Sequence, residues 1–338
     1  MGERQNRGDA LVTGGGGFLG GAIVRQLLRE GYSVKSFSRG SYPELTELGV
    51  EQFRGDLADF EAVKKASAGC SIVFHVAAKW GMTGEYSEYY RTNVEGTANI
   101  IEACRHHSIQ KLVFTSSPSV VFDGRDMDGA DESVPYPSSY KASYPETKAI
   151  ADKRVVSSIG GDLATVSLRP PLIWGPRDTQ LIPGILDRGR KGRLVKIRGK
   201  PKLVDFTYID DAAAAHLLAA ERLQVDSAIA GRVYFVTQDS PMPLWDFIDR
   251  VLSVAKLPRI KRSVSPRVAL ALGWVFENAY QLLPLKGDPP VTRFIAEELS
   301  TSHWFDISAT KRDLGYRPQF TMDEGFHELS QWLGGDCK

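Results

Sequence analysis

Ala10-Leu11-Val12-Thr13-Gly14-Gly15-Gly16-Gly17-Phe18-Leu19-Gly20 is the stretch from which the fold can be read. Ala10–Thr13 reads as a buried strand, the four glycines as a loop, and Ala22–Glu30 carries helical periodicity that Gly31 closes. A glycine run between a strand and a helix is the setting that binding of a dinucleotide requires. In the spacing T-G-x-x-G-x-x-G, Gly14 makes the tight turn. Gly17 lets the backbone approach a pyrophosphate, and Gly20 lets helix and strand pack closely. Phe18 and Leu19, between the last two glycines, are candidate cofactor contacts with them, and the N-terminus of the helix that follows supplies free N–H groups and a positive dipole end for phosphate. An ordinary surface turn also uses glycine, but it would not need this strand and this helix on either side.

Outward from that loop, Tyr32–Phe37, Glu51–Phe53, Ser71–Val76, Lys111–Thr115 and Ala164–Leu168 read as further strands, with helices around Tyr89–His106 and Tyr144–Ser158. The alternation predicts an α/β fold, a Rossmann-type doubly wound parallel sheet. After Pro170 the rhythm changes. Residues 9–177 are expected to form the dinucleotide-binding domain, with 203–238 returning to it, and residues 178–202 and 239–335 a smaller, mostly helical C-terminal substrate lobe punctuated by Pro258, Pro266, Pro284, Pro289 and Pro290.

The 338 residues carry 42 basic and 41 acidic side chains, a net charge of +1. That balance argues against a nucleic-acid partner recognised through its phosphates. Cys70, Cys104 and Cys337 are scattered and odd in number, which suits a reducing cytoplasm and neither a disulfide framework nor a metal. Six histidines show no ligand spacing, so no metal is expected. No secretory signal or membrane span is apparent. Val268–Phe276, the most apolar stretch, reads as a core helix, with peripheral contact to a membrane surface left open.

The end of the second strand, Phe37-Ser38-Arg39, lacks the carboxylate that would hold a ribose 2′-hydroxyl. Arg39 can instead pair with a 2′-phosphate and Ser38 adds no repulsion, so NADP(H) is the expected cofactor. Asp56, in Gly55-Asp56-Leu57, is placed to accept from the adenine amino group. Further on, Tyr144-Pro145-Glu146-Thr147-Lys148 puts Tyr144 and Lys148 on one face of a helix. An ammonium near a phenol lowers its pKa and lets Tyr144 exchange a proton with a carbonyl or carbinol oxygen. A Y-x-x-x-K spacing alone is more often a surface pair. Here Thr115-Ser116-Ser117 upstream offers a hydroxyl to the same oxygen, and Asn93 lies in the helix after the fourth strand.

These segments (VTGGGGFLG, RGDLAD, VFHVAA, TNVEGTANIIEACR, LVFTSSPSVVF, YPETK, LRPPLIWGP and DFTYIDDAAAAH) occur in the order found in extended short-chain dehydrogenases/reductases. The chain resembles the 3β-hydroxysteroid dehydrogenase-like branch over nearly its whole length. The resemblance implies Tyr144 as general acid/base, Lys148 as its ribose-binding partner, Ser117 as the polarising hydroxyl and Asn93 as support for a proton-relay water. It implies that Ala77 and Ala78 pack on the adenosine side of the cofactor, and a homodimer through the Tyr89–His106 and Tyr144–Ser158 helices. Leu57, Lys79 and Pro170 are further candidate cofactor contacts, with a plain surface lysine as the equal reading of Lys79. SFSRGSYPELTELGVEQFRGDLAD and TRFIAEELSTSHWFDISATKRDLGY are similar to reductases of branched β-keto acids from bacterial long-chain olefin biosynthesis. That implies a lipid-like small-molecule substrate and assembly with other enzymes of that pathway. Leu270, Trp274, Val275, Phe276, Tyr280, Leu282, Leu283, Trp304 and Phe305 are the expected walls of its channel, with helix core as the plainer role for each. A sterol 3β-dehydrogenase shares these motifs. A nucleotide-sugar epimerase would need a diphosphate site, for which Arg188, Arg190 and Arg193 are the one visible cluster, and a non-catalytic NADP sensor would have no use for an intact Tyr144 and Lys148.

Overall fold

The computed structural model describes residues 7–81, 84–282 and 289–335. Leu283, Pro284 and Cys337 lie outside them. In the N-terminal half the strands are β1 (Asp9–Thr13), β2 (Ser33–Ser38), β3 (Glu51–Arg54), β4 (Ile72–His75), β5 (Lys111–Thr115), β6 (Met127–Ala130) and β7 (Ala164–Arg169). Their helices are α1 (Phe18–Arg29), α2 (Pro43–Glu47), α3 (Phe60–Ser67), α4 (Tyr86–Tyr89), α5 (Gly96–His106) and α6 (Ser143–Ser157). The C-terminal half adds β8 (Ile173–Trp174), β9 (Lys196–Ile197), β10 (Leu203–Val204), β11 (Thr207–Tyr208), β12 (Arg232–Phe235), β13 (Met242–Pro243), β14 (Ser263–Val264) and β15 (His303–Phe305). Between and after them run α7 (Leu181–Arg190), α8 (Ile209–Arg222), α9 (Leu244–Val254), α10 (Pro266–Leu282), α11 (Arg293–Glu298), α12 (Ser308–Leu314) and α13 (Met322–Gly335).

Seven strands form one parallel sheet in the order β12-β7-β5-β4-β1-β2-β3. Apolar residues fill strands covered on both faces: Leu11, Val12, Val73, Phe74, Leu112, Val113 and Val166 are fully buried. The strand order reverses between β1 and β4, and ligands of such sheets bind in the crevice beyond the strand ends at that point. The Rossmann-type sheet read from the sequence is therefore present.

Beyond shifts of a single residue, two helix starts and a set of small strands differ from the sequence reading. Helix α1 begins at Phe18, not Ala22, because Gly17 already serves as its N-cap and Leu19 is buried. The helix expected from Tyr89 begins at Tyr86 and passes through a π-helical turn, Tyr90–Glu95, before α5. Small strands β13–β15 appear in the region read as helical; β13, β10, β15 and β6 form a second sheet and β14 pairs with β9. Strands of two or three residues carry no periodicity that a sequence can display.

Helix α6 is fastened to the sheet by a buried ion pair. Asp152 accepts from Arg169 Nη2 at 2.6 Å, from Arg169 Nε at 3.1 Å and from Tyr136 Oη at 2.9 Å, and the Ser167 hydroxyl also donates to it. Their side chains are 2% and 0% exposed.

Candidate active site

The glycine loop leaves β1 at Gly14, whose φ of +71° is open to glycine at little cost. Gly14 N–H donates to Phe37 O at 2.8 Å, tying the loop to the end of β2. A Cβ on Gly20 would stand 2.1 Å from Gly14 O, so the helix can approach the loop only because residue 20 has no side chain. The α1 N-terminus has no capping side chain and no acidic residue in its first turn. Two further observations suit an anionic dinucleotide there. Ser38 Oγ is buried with no hydrogen-bond partner, and Arg39 beside it is exposed. Arg54, which the sequence reading passed over, pairs in register with Ser38 across β2 and β3 and brings a second cation to the same edge.

Ala77 lies against the loop, 3.2 Å from where a Gly14 Cβ would be. Its position is fixed by a hydrogen-bond chain that donor counting orients. Val76 and Ala77 N–H each donate to Thr13 Oγ1 at 3.0 Å, Thr13 Oγ1 donates to His75 Nδ1 (2.9 Å), His75 Nε2 donates to Thr97 Oγ1 (3.0 Å), and Thr97 Oγ1 donates to Asn93 O (2.6 Å). Burial holds His75 neutral, lowering its pKa to about 3. Ala78 is half-buried, Leu57 packs beneath Gly96, and Pro170 is buried at the end of β7. Asp56 accepts from Ala58 N–H at 3.0 Å and pairs with Arg91 at 3.1 Å. Lys79 pairs with Glu88 at 2.8 Å over the Tyr89 ring.

Asn93 is 2% exposed and its amide is heavily committed. It accepts from Lys79 N–H (2.7 Å) and donates to Lys79 O (2.9 Å) and to Thr147 Oγ1 (3.0 Å). In this arrangement it positions the strand-four loop against α6, whereas the resemblance implied support for a water. The π-helical turn that carries Asn93 is a rare geometry, frequent at functional sites.

The structure brings Tyr144, Ser117 and Lys148 to the C-terminal end of β5. Ser117 caps a short 3-10 turn (Pro118–Val121), and its Oγ lies 2.9 Å from Ser119 Oγ. The Tyr144 phenol is pushed up to about 12 by burial, partly offset by a hydrogen bond with Ser117. Lys148 Nζ donates to Thr115 O at 2.7 Å and lies 4.0 Å from the centre of the Phe114 ring. Its burial without a contacting carboxylate lowers its pKa to about 7. The sequence led us to expect an ammonium lowering the phenol. Without ligands the larger effect runs the other way, because enclosure penalises both charged forms and Lys148 spends its proton on a carbonyl.

From Ser117 a cavity of about 850 Å³ runs between Leu172, Phe206, Trp245, Phe276, Tyr280 and Leu299. Among the expected channel residues, Phe276, Tyr280 and Phe305 line it; Leu270, Trp274, Val275, Leu282 and Trp304 do not. The helical period explains the split in α10, since Ala269, Phe276 and Tyr280 share its inward face while Trp274 and Val275 point outward, 55% and 50% exposed. Trp304 instead donates to Asp128 at 3.1 Å. Arg188 and Arg193 reach the cavity wall, and Arg190 does not. Glu298 at the end of α11 also lines it. Burial lifts this carboxyl to about 7, and its charge acts on Tyr144. Nothing in Glu297-Glu298 marks which carboxylate faces inward; its neighbour Glu297 turns to Lys141 at 2.5 Å.

The sequence profile of the 3-beta hydroxysteroid dehydrogenase/isomerase family matches residues 11–265. The chain belongs to that family. Family membership makes it an oxidoreductase that acts between CH–OH and C=O groups. Within and around the family, it is 47% identical to a 2-alkyl-3-oxoalkanoate reductase of Stenotrophomonas maltophilia, covering 94% of this chain and 97% of that one. A 2-alkyl-3-oxoalkanoate reductase of Shewanella oneidensis is 45% identical, over 96% and 86% respectively. MoeE5, solved in complex with UDP-glucose and NAD, superposes with a TM-score of 0.75 at 23% identity, covering 98% of this chain and all of the other, and shares the fold. No helix among the described residues is long and apolar enough to cross a membrane.

Proposed function

We propose that this chain reduces the 3-oxo group of 2-alkyl-3-oxoalkanoic acids to the 2-alkyl-3-hydroxy acids with NADPH. The observation that carries the reading is the apolar cavity lined by Ser117, a hydroxyl close enough to Tyr144 to offset part of the upward pull of burial on its phenol. It suits a substrate with two alkyl chains, and the two bacterial relatives support it. Nicotinamide, when bound, supplies the hydride. Ser117 donates to the substrate oxygen, and Tyr144 passes its phenolic proton to that oxygen as negative charge develops there. Lys148 is the group to hold the nicotinamide ribose and to compensate the phenolate left on Tyr144. Gly14, Gly17, Phe18, Leu19 and Gly20 would cradle the pyrophosphate, with Leu57, Ala77, Ala78, Lys79 and Pro170 as walls, Asp56 at the adenine, and Ser38 and Arg39 at the 2′-phosphate. We also propose pairing of two copies through the segments 86–106 and 143–157, a cytoplasmic location, and a place in long-chain olefin biosynthesis beside other enzymes of that route.

Purified protein given a synthetic 2-alkyl-3-hydroxyalkanoic acid and NADP⁺ is expected to generate NADPH, read by absorbance. Turnover of a 3β-hydroxysteroid in place of the hydroxy acid would overturn the substrate. Arg39→Ala is expected to weaken NADPH about tenfold more than NADH, the loss of one charge-assisted phosphate contact. Equal losses in a fluorescence titration would remove Arg39 from the assignment.

Glu298 makes the reaction pH-dependent. Below about 7 its carboxyl is neutral; above, it becomes an anion that opposes a phenolate on Tyr144 and repels a carboxylate substrate. Reductive kcat/KM is therefore expected to fall by roughly three- to tenfold as pH rises from 6 to 8.5, and Glu298→Gln to flatten that limb. A variant with the parent's slope would assign the limb to another group.

A further inference from the structure

Helix α10 has a second face that the cavity does not use. Val268, Leu272, Val275 and Leu282 follow one another at spacings of four, three and seven, and are 46%, 40%, 50% and 82% exposed, with Ala271 and Ala279 completing the stripe. Arg267, Trp274 and Asn278 form its border row, at spacings of seven and four. Over 17 residues, or about 25 Å of helix, the outward surface is apolar with one polar edge. Single exposed apolar residues are ordinary; a continuous stripe marks an interaction surface.

The charge around the stripe says what it meets. Strand β14, immediately before α10, pairs with β9, so Lys196–Ile197 lies beside Ser263–Val264 at the helix's N-terminal end. Arg198, Lys200, Arg259, Lys261, Arg262 and Arg267 are exposed there and form no ion pair among the described residues. No carboxylate occurs in residues 188–202 or 255–276, although the whole chain is within one charge of neutrality. Asp249 and Asp126 reach in from elsewhere and neutralise Lys196 and Lys202 only. The first turn of α10 contains no acidic residue, so its own positive end adds to the field.

We propose that the outer face of α10 seats on an anionic lipid bilayer, with the stripe in the acyl–headgroup boundary and the β9–β14 cations on the headgroups. A helix lying in that plane combines an apolar face, cations beside it and a tryptophan at the edge; here Arg267 and the β9–β14 cations supply the charge and Trp274 the edge. Each cation near such a surface contributes to attraction that salt weakens. A protein partner would find a stripe of the same kind, but it would need a strongly acidic surface to match this collar. The inner face of the same helix lines the cavity, so seating brings the cavity wall next to lipid. The inference does not rest on the substrate proposed above, because binding is read with no substrate present.

The test is flotation of the full chain with vesicles of phosphatidylglycerol and phosphatidylcholine, against phosphatidylcholine alone. Binding to the anionic vesicles is expected to be at least about tenfold tighter and to fall steeply with salt. Val275→Asp should abolish it through the stripe, and Lys261→Glu/Arg262→Glu through the collar, while circular dichroism and NADPH titration stay at parent values. Absence of flotation at low salt overturns the proposal, as do variants that float like the parent. A parent dimer by light scattering that Val275→Asp converts to monomer, without vesicle binding by either, would overturn it in favour of a second copy on this face.

Discussion

Tyr144→Phe is expected to lower kcat by about 10³-fold while leaving NADPH affinity within about twofold of the parent, the effect of removing a positioned proton donor from the reacting oxygen. Burial holds the phenol near 12 despite the opposing effect of Ser117, so at neutral pH it is a loaded donor. Reduction needs that loaded form. The hydroxyl is what Tyr144→Phe deletes; the ring and its packing remain. Ser117→Ala should cost less, because Tyr144 can still protonate the oxygen, and should raise KM as well as lower kcat. Pre-steady-state measurement of NADPH oxidation with a 2-alkyl-3-oxo acid would read both. A Tyr144→Phe enzyme within tenfold of the parent would move the proton donor elsewhere in the cavity, with Glu298 next to be replaced.

Asp152→Ala is expected to destabilise the fold by about 3–5 kcal/mol, the usual result of leaving one member of a buried ion pair without the other. The guanidinium of Arg169 is 2% exposed, and its Nη1 has no hydrogen-bond partner even with Asp152 present. Taking the carboxylate away strands Arg169, Tyr136 and Ser167 together. Urea unfolding followed by far-UV circular dichroism gives the number. A loss below about 1 kcal/mol would mean that water or a rearranged side chain replaces the carboxylate. A combined Asp152→Leu and Arg169→Met protein should recover most of the loss, since an apolar pair of similar volume has no charge to desolvate. Helix α6 carries Tyr144 and Lys148 at one end and Asp152 further along, so activity should be lost with the first unfolding step.

Much of this was written in the chain. The βαβ rhythm shows the parallel strands from Ala10–Thr13 to Ala164–Leu168, because buried strands are continuous apolar runs and the helices between them keep their period. Gly14 and Gly20 announce themselves because a side chain is strained at the one and excluded at the other, and Gly17 because a Cβ there would crowd Gly14 O. Tyr144 and Lys148 are visible through a helical spacing and Ser117 through its place at a strand end. What was hidden depends on which face an element presents or on partners far along the chain. Asp152 meets Arg169 from 17 residues away, and Arg54 reaches Ser38 through strand register. Glu298 is one of two adjacent glutamates, and only packing chooses between them. The Tyr144 shift runs opposite to what the Tyr144–Lys148 spacing suggests, because burial has no signature in spacing, while the Lys148 charge does.

Helix α10 also bears on how such a chain can diverge. Its inward positions (269, 276 and 280) set the bore of the cavity, and its outward positions (268, 275 and 282) set what the molecule presents to its surroundings. Leu272 alone belongs to both, lining the cavity while 40% exposed. A 3.6-residue period thus makes two nearly separable modules from one segment. Lineages could widen or narrow the channel for longer or shorter chains without renegotiating the exterior, and the exterior could drift without touching the channel, with position 272 as the one place where a change in either is felt by both.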